Sequence, residues 1–320
     1  MDLEIETSLL SSSYIKEYLS SMYNIGDIIH CELLQSSISD TYQIDTSNER
    51  YILKIYKHNC KTSSDIQFEI DFVTYLKSNG LDVSNYILTV EGLFILTINA
   101  PEGIRYGVLT AFANGDELDY KNEQDAFLYG VNVARIHKIS KYFELQKNIK
   151  EINIISMLQT SSIAINSFLK NHPHEKNYFK YMIDLLIDKA HSIDIDSLEK
   201  IICHGDLHGG NAHRHLNNIT FFDFDFCGYG PTGYDLSVFR WGCIIGNRIP
   251  MWKEFIRGYK TVKNLEDKEL KNSLFFVAVR DIFIMSLYLN RISWMGKMFI
   301  SEYYIHNRIN FLKKIEIELQ

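Results

Sequence analysis

Proline is scarce in this chain, with four residues in 320. No proline- or glycine-rich stretch marks a linker, and no tandem repeat is present. Cysteine is sparse too. Cys31, Cys60, Cys203, Cys227 and Cys243 are odd in number, scattered and without CxxC spacing, which reads as free thiols in a reducing cytoplasm and not as a disulfide framework. Long apolar runs are also missing. The most apolar stretch, Leu274–Leu289, is interrupted by Arg280 and Asp281 and falls short of the roughly 20 residues that a membrane span requires. Positive charge is not in excess: 33 Lys and Arg face 40 Asp and Glu, a net charge of −7. That balance gives no electrostatic reason to expect nucleic acid or an anionic membrane as partner. The first ten residues carry three carboxylates and no basic group, so they do not read as a signal peptide.

What remains is the composition of a soluble globular protein, 46% hydrophobic and 23% charged, long enough for one large or two modest domains. The first hundred residues differ from the rest. Short strand-like runs occur at 28–34, 42–45, 51–56, 86–89, 93–98 and 106–112. One helical pattern, from about Ser64 to Ser78, interrupts them and ends at Asn79-Gly80 as a helix stop should. From Asn122 onward helical periodicity dominates, broken by a strand–loop–strand island at 201–226. A small mixed sheet followed by a helical part is a two-lobe plan, divided here as 1–112 and 113–320, and ligands commonly bind in the cleft of such a plan.

The island is the richest segment. In Cys203-His204-Gly205-Asp206-Leu207-His208-Gly209-Gly210-Asn211, an aspartate precedes an asparagine by five residues across a loop with two glycines. Phosphoryl transfer to an alcohol needs a carboxylate to orient the hydroxyl and accept its proton, and oxygen ligands for the cation that neutralises the phosphates. Aspartate and asparagine on one tight loop can supply both. Further on comes Phe221-Phe222-Asp223-Phe224-Asp225-Phe226, with Asp223 twelve residues after Asn211. If this segment is a strand, Asp223 and Asp225 share one face and Phe222, Phe224 and Phe226 the other. Two carboxylates beside an apolar core repel unless a cation joins them, and a hard divalent cation suits their oxygens.

These segments resemble the aminoglycoside phosphotransferase and choline kinase-like family, relatives of the protein kinases. The pattern HGD-x-H-x-x-N, a hydrophobic strand ending in Asp, Gly-Pro and Tyr-Asp-Leu is present whole, its last parts being Gly230-Pro231 and Tyr234-Asp235-Leu236. The resemblance implies an α+β, bilobal protein-kinase-like fold and an ATP- and Mg²⁺-dependent kinase acting on a hydroxylated small molecule. It makes Asp206 the catalytic base, Asn211 and Asp223 the metal ligands, and Asp235 a brace for the catalytic loop or a helix cap. His208 and His137 read as structural.

A kinase also needs a lysine for the ATP phosphates, held by a carboxylate. Lys54 lies in the strand pattern Tyr51–Tyr56. Glu69 falls within the apolar stripe Ile66, Ile70, Val73 and Leu76, where a carboxylate requires a cation. Lys54–Glu69 is the expected pair, in the family's order. Gln35–Tyr42, where the phosphate-covering loop belongs, holds no glycine; serines such as Ser37, or backbone N–H groups, take over there. By resemblance Val108–Gly115 is the hinge, with Ala111 and Ala113 meeting adenine. Arg280 and Asp281, charges within an apolar helix, are acceptor contacts or an interhelical ion pair, and Asp225 is a further metal or acceptor contact or a solvated carboxylate.

Two other readings compete. Gly205-Asp206-Leu207-His208-Gly209 fits the first motif of a metallophosphoesterase, with His213 and His215 as added ligands. No GDxxDRG or GNHE segment follows, and the motif stands two-thirds of the way along the chain. A catalytically silent kinase-like binding protein is the second, opposed by the complete set Lys54, Glu69, Asp206, Asn211 and Asp223. The acceptor stays open among aminoglycosides, other amine-bearing antibiotics, and amino alcohols such as homoserine and choline.

Overall fold

A computed structural model describes residues 4–118, 122–144 and 149–319, without the side chain of Phe299. The chain forms two compact units, one running up to Gly115 and including Thr220–Phe222, the other holding the remainder.

The first unit begins with α1 (Ser12–Met22), then β1 (Ile28–Ser36), β2 (Ser39–Thr46) and β3 (Arg50–Tyr56). After these come α2 (Ser63–Ser78), β4 (Ile95–Ala100) and β5 (Gly103–Ala111). The strands make an antiparallel sheet in the order β1-β2-β3-β5-β4. Alternation sends Tyr42, Ile44, Leu53, Ile55 and Leu109 to one face, where Ile15 and Leu19 of α1 pack on them. Burying two such aliphatic side chains stabilises the helix by about 1.5–3 kcal/mol each. Tyr56 and Val108 face the other way and pack against Ile66 and Ile70 of α2. Thr62 and Asp65 start α2 with a reciprocal capping box, and Gly80, at φ +79°, ends it. The strand expected at 86–89 reduces to one bridge, Tyr86 with Thr110. A tight turn in which Thr89 N–H donates to Leu93 O takes up the backbone instead. Phe221 belongs with this unit, exchanging backbone hydrogen bonds with Asp82 and Ser84.

The second unit contains β6 (Asp116–Glu117), α3 (Glu123–Ser140), α4 (Ile154–Phe168), α5 (Pro173–Ser192), β7 (Lys200–Cys203), β8 (Ala212–His215) and β9 (Asn218–Phe221, whose last two residues group with the first unit). It continues with β10 (Gly228–Pro231), α6 (Thr232–Ile245), α7 (Ile249–Lys260), α8 (Asp267–Lys271), α9 (Ser273–Leu289), α10 (Ile292–Met295) and α11 (Glu302–Leu319). Helices α4, α5, α9 and α11 bury one continuous core with Tyr234 of α6. Helices α3 and α7 touch backbone to backbone, because a Cβ at Gly130 would lie 1.9 Å from Phe255 O and one at Gly258 2.0 Å from Phe127 O. Two short ribbons, β7 with β10 and β6-β8-β9, frame the loop from His204 to Asn211. No helix among the described residues is long and apolar enough to cross a membrane.

Candidate active site

The loop after β7 is held by its own backbone and by one buried carboxylate. Asp235, on the first turn of α6 and fully buried, accepts the N–H of His204 at Oδ2 and that of Gly205 at Oδ1, both at 2.8 Å. Its Oδ2 also meets His137 Nε2 at 3.1 Å, while His137 Nδ1 lies 3.0 Å from the Tyr259 hydroxyl. The brace read from the sequence for Asp235 is thus a chain through α6, α3 and α7. Gly205 adopts φ +81°, and a Cβ there would sit 2.1 Å from Phe226 O, so only glycine fits. Within the loop, His208 N–H donates to Asp206 O at 2.8 Å and Asn211 N–H to His208 O at 3.0 Å.

Asn211 is buried and spends its amide nitrogen on Asp206 O at 2.9 Å. That leaves the amide oxygen, a hard ligand atom, as what it can offer a cation. His208 Nδ1 accepts from Gly210 N–H at 3.1 Å, which places the proton of the neutral ring on Nε2, 3.6 Å from Asp206 Oδ2. Burial, with the nearby Arg280 charge, pushes the His208 pKa down against the opposing pull of Asp206.

Asp206 receives a partner that the motif does not contain. Arg280, from the middle of α9 and 2% exposed, donates Nη2–H to Asp206 Oδ1 and Nη1–H to Gly205 O at 3.3 Å. Burial alone would raise the Asp206 carboxyl. The Arg280 guanidinium, then His208 and His204, outweigh it, and the pKa falls below the ordinary carboxylate value. Asp281, next in sequence, turns elsewhere: its Oδ1 accepts from Trp241 Nε1 at 2.8 Å and Arg308 Nη1 at 2.6 Å. Arg280 and Asp281 therefore part, one to the loop that bears Asp206 and the other to a tie between α6, α9 and α11.

The strand reading of residues 222–226 is corrected. Strand β9 ends at Phe221, and Asp223 takes φ +63°, which breaks the alternation that puts Asp223 and Asp225 on one face. Asp223 is half-buried; Asp225 is buried in the turn that follows, where its backbone oxygen accepts from Lys150 Nζ at 3.3 Å.

In the first unit, Lys54 pairs across β3 with Thr41 and Val108, so its side chain leaves the sheet on the face that α2 covers. Glu69 of α2 is 2% exposed. Its carboxylate forms an ion pair with Lys61 and accepts a hydrogen bond from the Tyr86 hydroxyl, two partners absent from the sequence reading. The β1–β2 turn carries Ser37, whose N–H donates to Ser39 O at 2.9 Å. Beneath it Asp40, 1% exposed, meets Ser36 Oγ at 2.6 Å, Lys57 Nζ at 2.7 Å and Arg105 Nη2 at 2.6 Å. Nothing local in the sequence signals this cluster. At the expected hinge, the Ala111 N–H donates to Asn85 O at 2.9 Å and its carbonyl accepts from Ser84 Oγ. The Ala111 N–H is thus spent inside the unit, while Ala113 lies buried two residues on.

With this geometry in place, comparison with known proteins decides the family. The family model described as "Phosphotransferase enzyme family" matches residues 30–263. The chain belongs to that family. An uncharacterized protein of Synechocystis sp. is 29% identical over 275 residues, 83% of this chain and 74% of the relative. Among solved structures, amicoumacin kinase hAmiN in complex with AMP-PNP, Ca²⁺ and Ami superposes with TM-score 0.77 at 20% identity, covering 97% of this chain and 94% of its own. A microcompartment-associated aminopropanol kinase gives TM-score 0.73 at 18% identity and 95% of both chains. The fold is that of the protein-kinase-like phosphotransferases.

The family match stops before α9 and α11, so Arg280, Asp281 and Arg308 lie outside it. The dinuclear phosphoesterase reading needs a gathered set of metal ligands. Among the described residues no three or more His, Cys, Asp or Glu side chains gather in that way. A phosphotransferase does not need such a set, because phosphate oxygens complete the coordination of its cation.

Proposed function

We propose that this family member transfers the γ-phosphate of ATP to a hydroxyl of an amine-bearing small molecule, either an amino alcohol or an antibiotic. The observation that carries this reading is the Asp206 carboxylate, set on a loop whose backbone Asp235 fixes and whose Asn211 donates its amide nitrogen to the Asp206 carbonyl. Bound Mg·ATP supplies the phosphoryl group and the cation that offsets its charge. Asn211 and Asp223 hold that cation through oxygen atoms. Lys54 engages the phosphates, Glu69 with Lys61 and Tyr86 orders that face of the sheet, and the turn at Ser37 covers the phosphate chain. Ala113 offers backbone groups to adenine. Asp206 accepts the hydroxyl proton at Oδ2 as the acceptor oxygen bonds to phosphorus and ADP leaves.

Arg280 pairs with Asp206 and Arg308 with Asp281, so neither acid is open to a polycationic acceptor, and an acceptor with a single amine fits this region better. The aminopropanol kinase and amicoumacin kinase among the structural relatives act, by their names, on aminopropanol and on amicoumacin. Asp225 and Asp281, both buried, fall to the scaffold in this reading.

The test is ADP release with Mg·ATP across aminopropanol, choline, homoserine, methylthioribose, amicoumacin and aminoglycosides, with Asp206→Ala as blank. One compound should stimulate release in the wild type and not in the blank. Equal release from both proteins with every compound would refute the role of Asp206.

A further inference from the structure

We infer that Arg280 is a positioning residue that clamps the catalytic carboxylate, and that it does not bind the acceptor; the inference rests on the phosphotransfer reading above. Helix α9 is apolar where it enters the core: Phe275, Phe276, Val277, Ala278, Val279 and Ile282 are all fully buried. A guanidinium in that setting is destabilising by several kcal/mol unless its hydrogens are engaged. The partners of Arg280 converge on two consecutive residues, the Gly205 carbonyl and Asp206 Oδ1. The Tyr234 hydroxyl and the Trp241 ring, whose centroid lies 5.9 Å from Cζ, stand beside it, and Nε is buried without a hydrogen-bond partner. Gly205 is therefore gripped on both sides of its peptide units, its N–H by Asp235 and its C=O by Arg280.

The consequence for chemistry is geometric. A carboxylate on a single rotatable bond can present either oxygen, in a range of directions. With Oδ1 committed to a buried planar fork, Asp206 is left with Oδ2, the oxygen that has His208 Nε2 at 3.6 Å, as the one that meets a hydroxyl. Arg280, Asp206, Gly205, Tyr234 and Trp241 all belong to the second unit, so the clamp is internal to that unit. Arginine suits this task better than lysine, because only a guanidinium engages a carbonyl and a carboxylate with two fixed N–H groups.

The inference separates from acceptor binding in a double-mutant cycle of Arg280→Met and Asp206→Ala. The assay is ADP release with the acceptor from the panel that stimulates most, or slow hydrolysis of Mg·ATP by water if none does. Arg280→Met should lower kcat by roughly 10²-fold, the scale of a 1 Å misplacement of a reacting group, with KM for ATP and for the acceptor within about twofold of wild type. In the Asp206→Ala background the same substitution should lower kcat no further. Arg280→Lys, which keeps the buried charge and loses the fork, covers the case in which the methionine variant does not fold. It should show the same kcat loss in smaller measure, again without a KM change. A raised acceptor KM at unchanged kcat, or a further loss in the Asp206→Ala background, overturns the clamp. If the wild type itself releases no ADP above the Asp206→Ala blank, it is the phosphotransfer reading that fails.

Discussion

Asp235 closes on the backbone of Gly205 and His204 with both carboxylate oxygens, each 2.8 Å from an amide nitrogen. The loop that bears Asp206 is thereby fixed from α6, and the same carboxylate is fixed in turn by His137 of α3. Charge-assisted hydrogen bonds to backbone N–H groups at a buried carboxylate are among the stronger ones a protein makes.

Asp235→Asn keeps the shape and removes one acceptor, leaving a buried loop N–H without its partner. The expected loss is about 1–3 kcal/mol of stability, read by urea unfolding, together with a lower kcat. Unchanged stability would contradict the bracing role.

Asp40 should matter for the first unit as Asp235 does for the second. It neutralises Lys57 and Arg105, both buried with it, under the turn that carries Ser37. Asp40→Ala leaves Lys57 without its carboxylate and Arg105 with only the 3.7 Å contact to Glu102, and should destabilise the protein by about 3–5 kcal/mol. Urea unfolding of the variant measures it, and a change within the scatter of the wild type counts against the cluster.

Asp281 gives the protein a pH dependence with a definite sign. Burial pushes its carboxyl up to about 6 from 3.8, against the pull of Arg308. The folded chain then binds the proton more tightly than the unfolded one. The resulting stability is fully present below about pH 3.8 and is lost as pH rises through about 6. The displacement corresponds to about 3 kcal/mol. Asp281→Asn removes the titration. The stability of the wild type relative to Asp281→Asn should therefore fall between pH 4.5 and pH 7.5, as followed by urea unfolding at the two values, and a flat difference argues against the assignment.

Asp223→Ala should weaken nucleotide binding in the presence of Mg²⁺ and leave binding in EDTA nearly unchanged. Calorimetric titration with ATP under both conditions reads the difference. Equal affinity of variant and wild type in Mg²⁺ would remove Asp223 from the metal set.

The loop that bears Asp206 was legible in the sequence because it is local. Asp206, Asn211 and the Gly205 that permits their loop stand within eight residues of Cys203, and Asp235 follows in the same stretch. Lys54 and Glu69 were legible by type, a lysine in a strand and a carboxylate on an apolar stripe. Their surroundings were not, since Lys61 precedes α2 and Tyr86 sits in a segment that reads as a strand but forms a single bridge. Arg280 announced itself as a charge in an apolar helix that must be paired. Its partner 74 residues away is set by how α9 packs, which no local pattern encodes. The same holds for Asp40 and Arg105, 65 residues apart. The strand alternation at 222–226 failed for a backbone reason, the left-handed φ of Asp223. Helix α1 escaped because its apolar stripe is short, with Ile15 and Leu19 as its buried residues.

The most direct test of the account is the mass of the acceptor after incubation with Mg·ATP and either wild-type protein or Asp206→Ala. The account predicts that the acceptor gains one phosphoryl group with the wild type, in step with ADP formed, and gains it at least about 10²-fold more slowly with the variant. An acceptor phosphorylated equally fast by both proteins would contradict it, as would release of inorganic phosphate from phosphate esters with no ATP present.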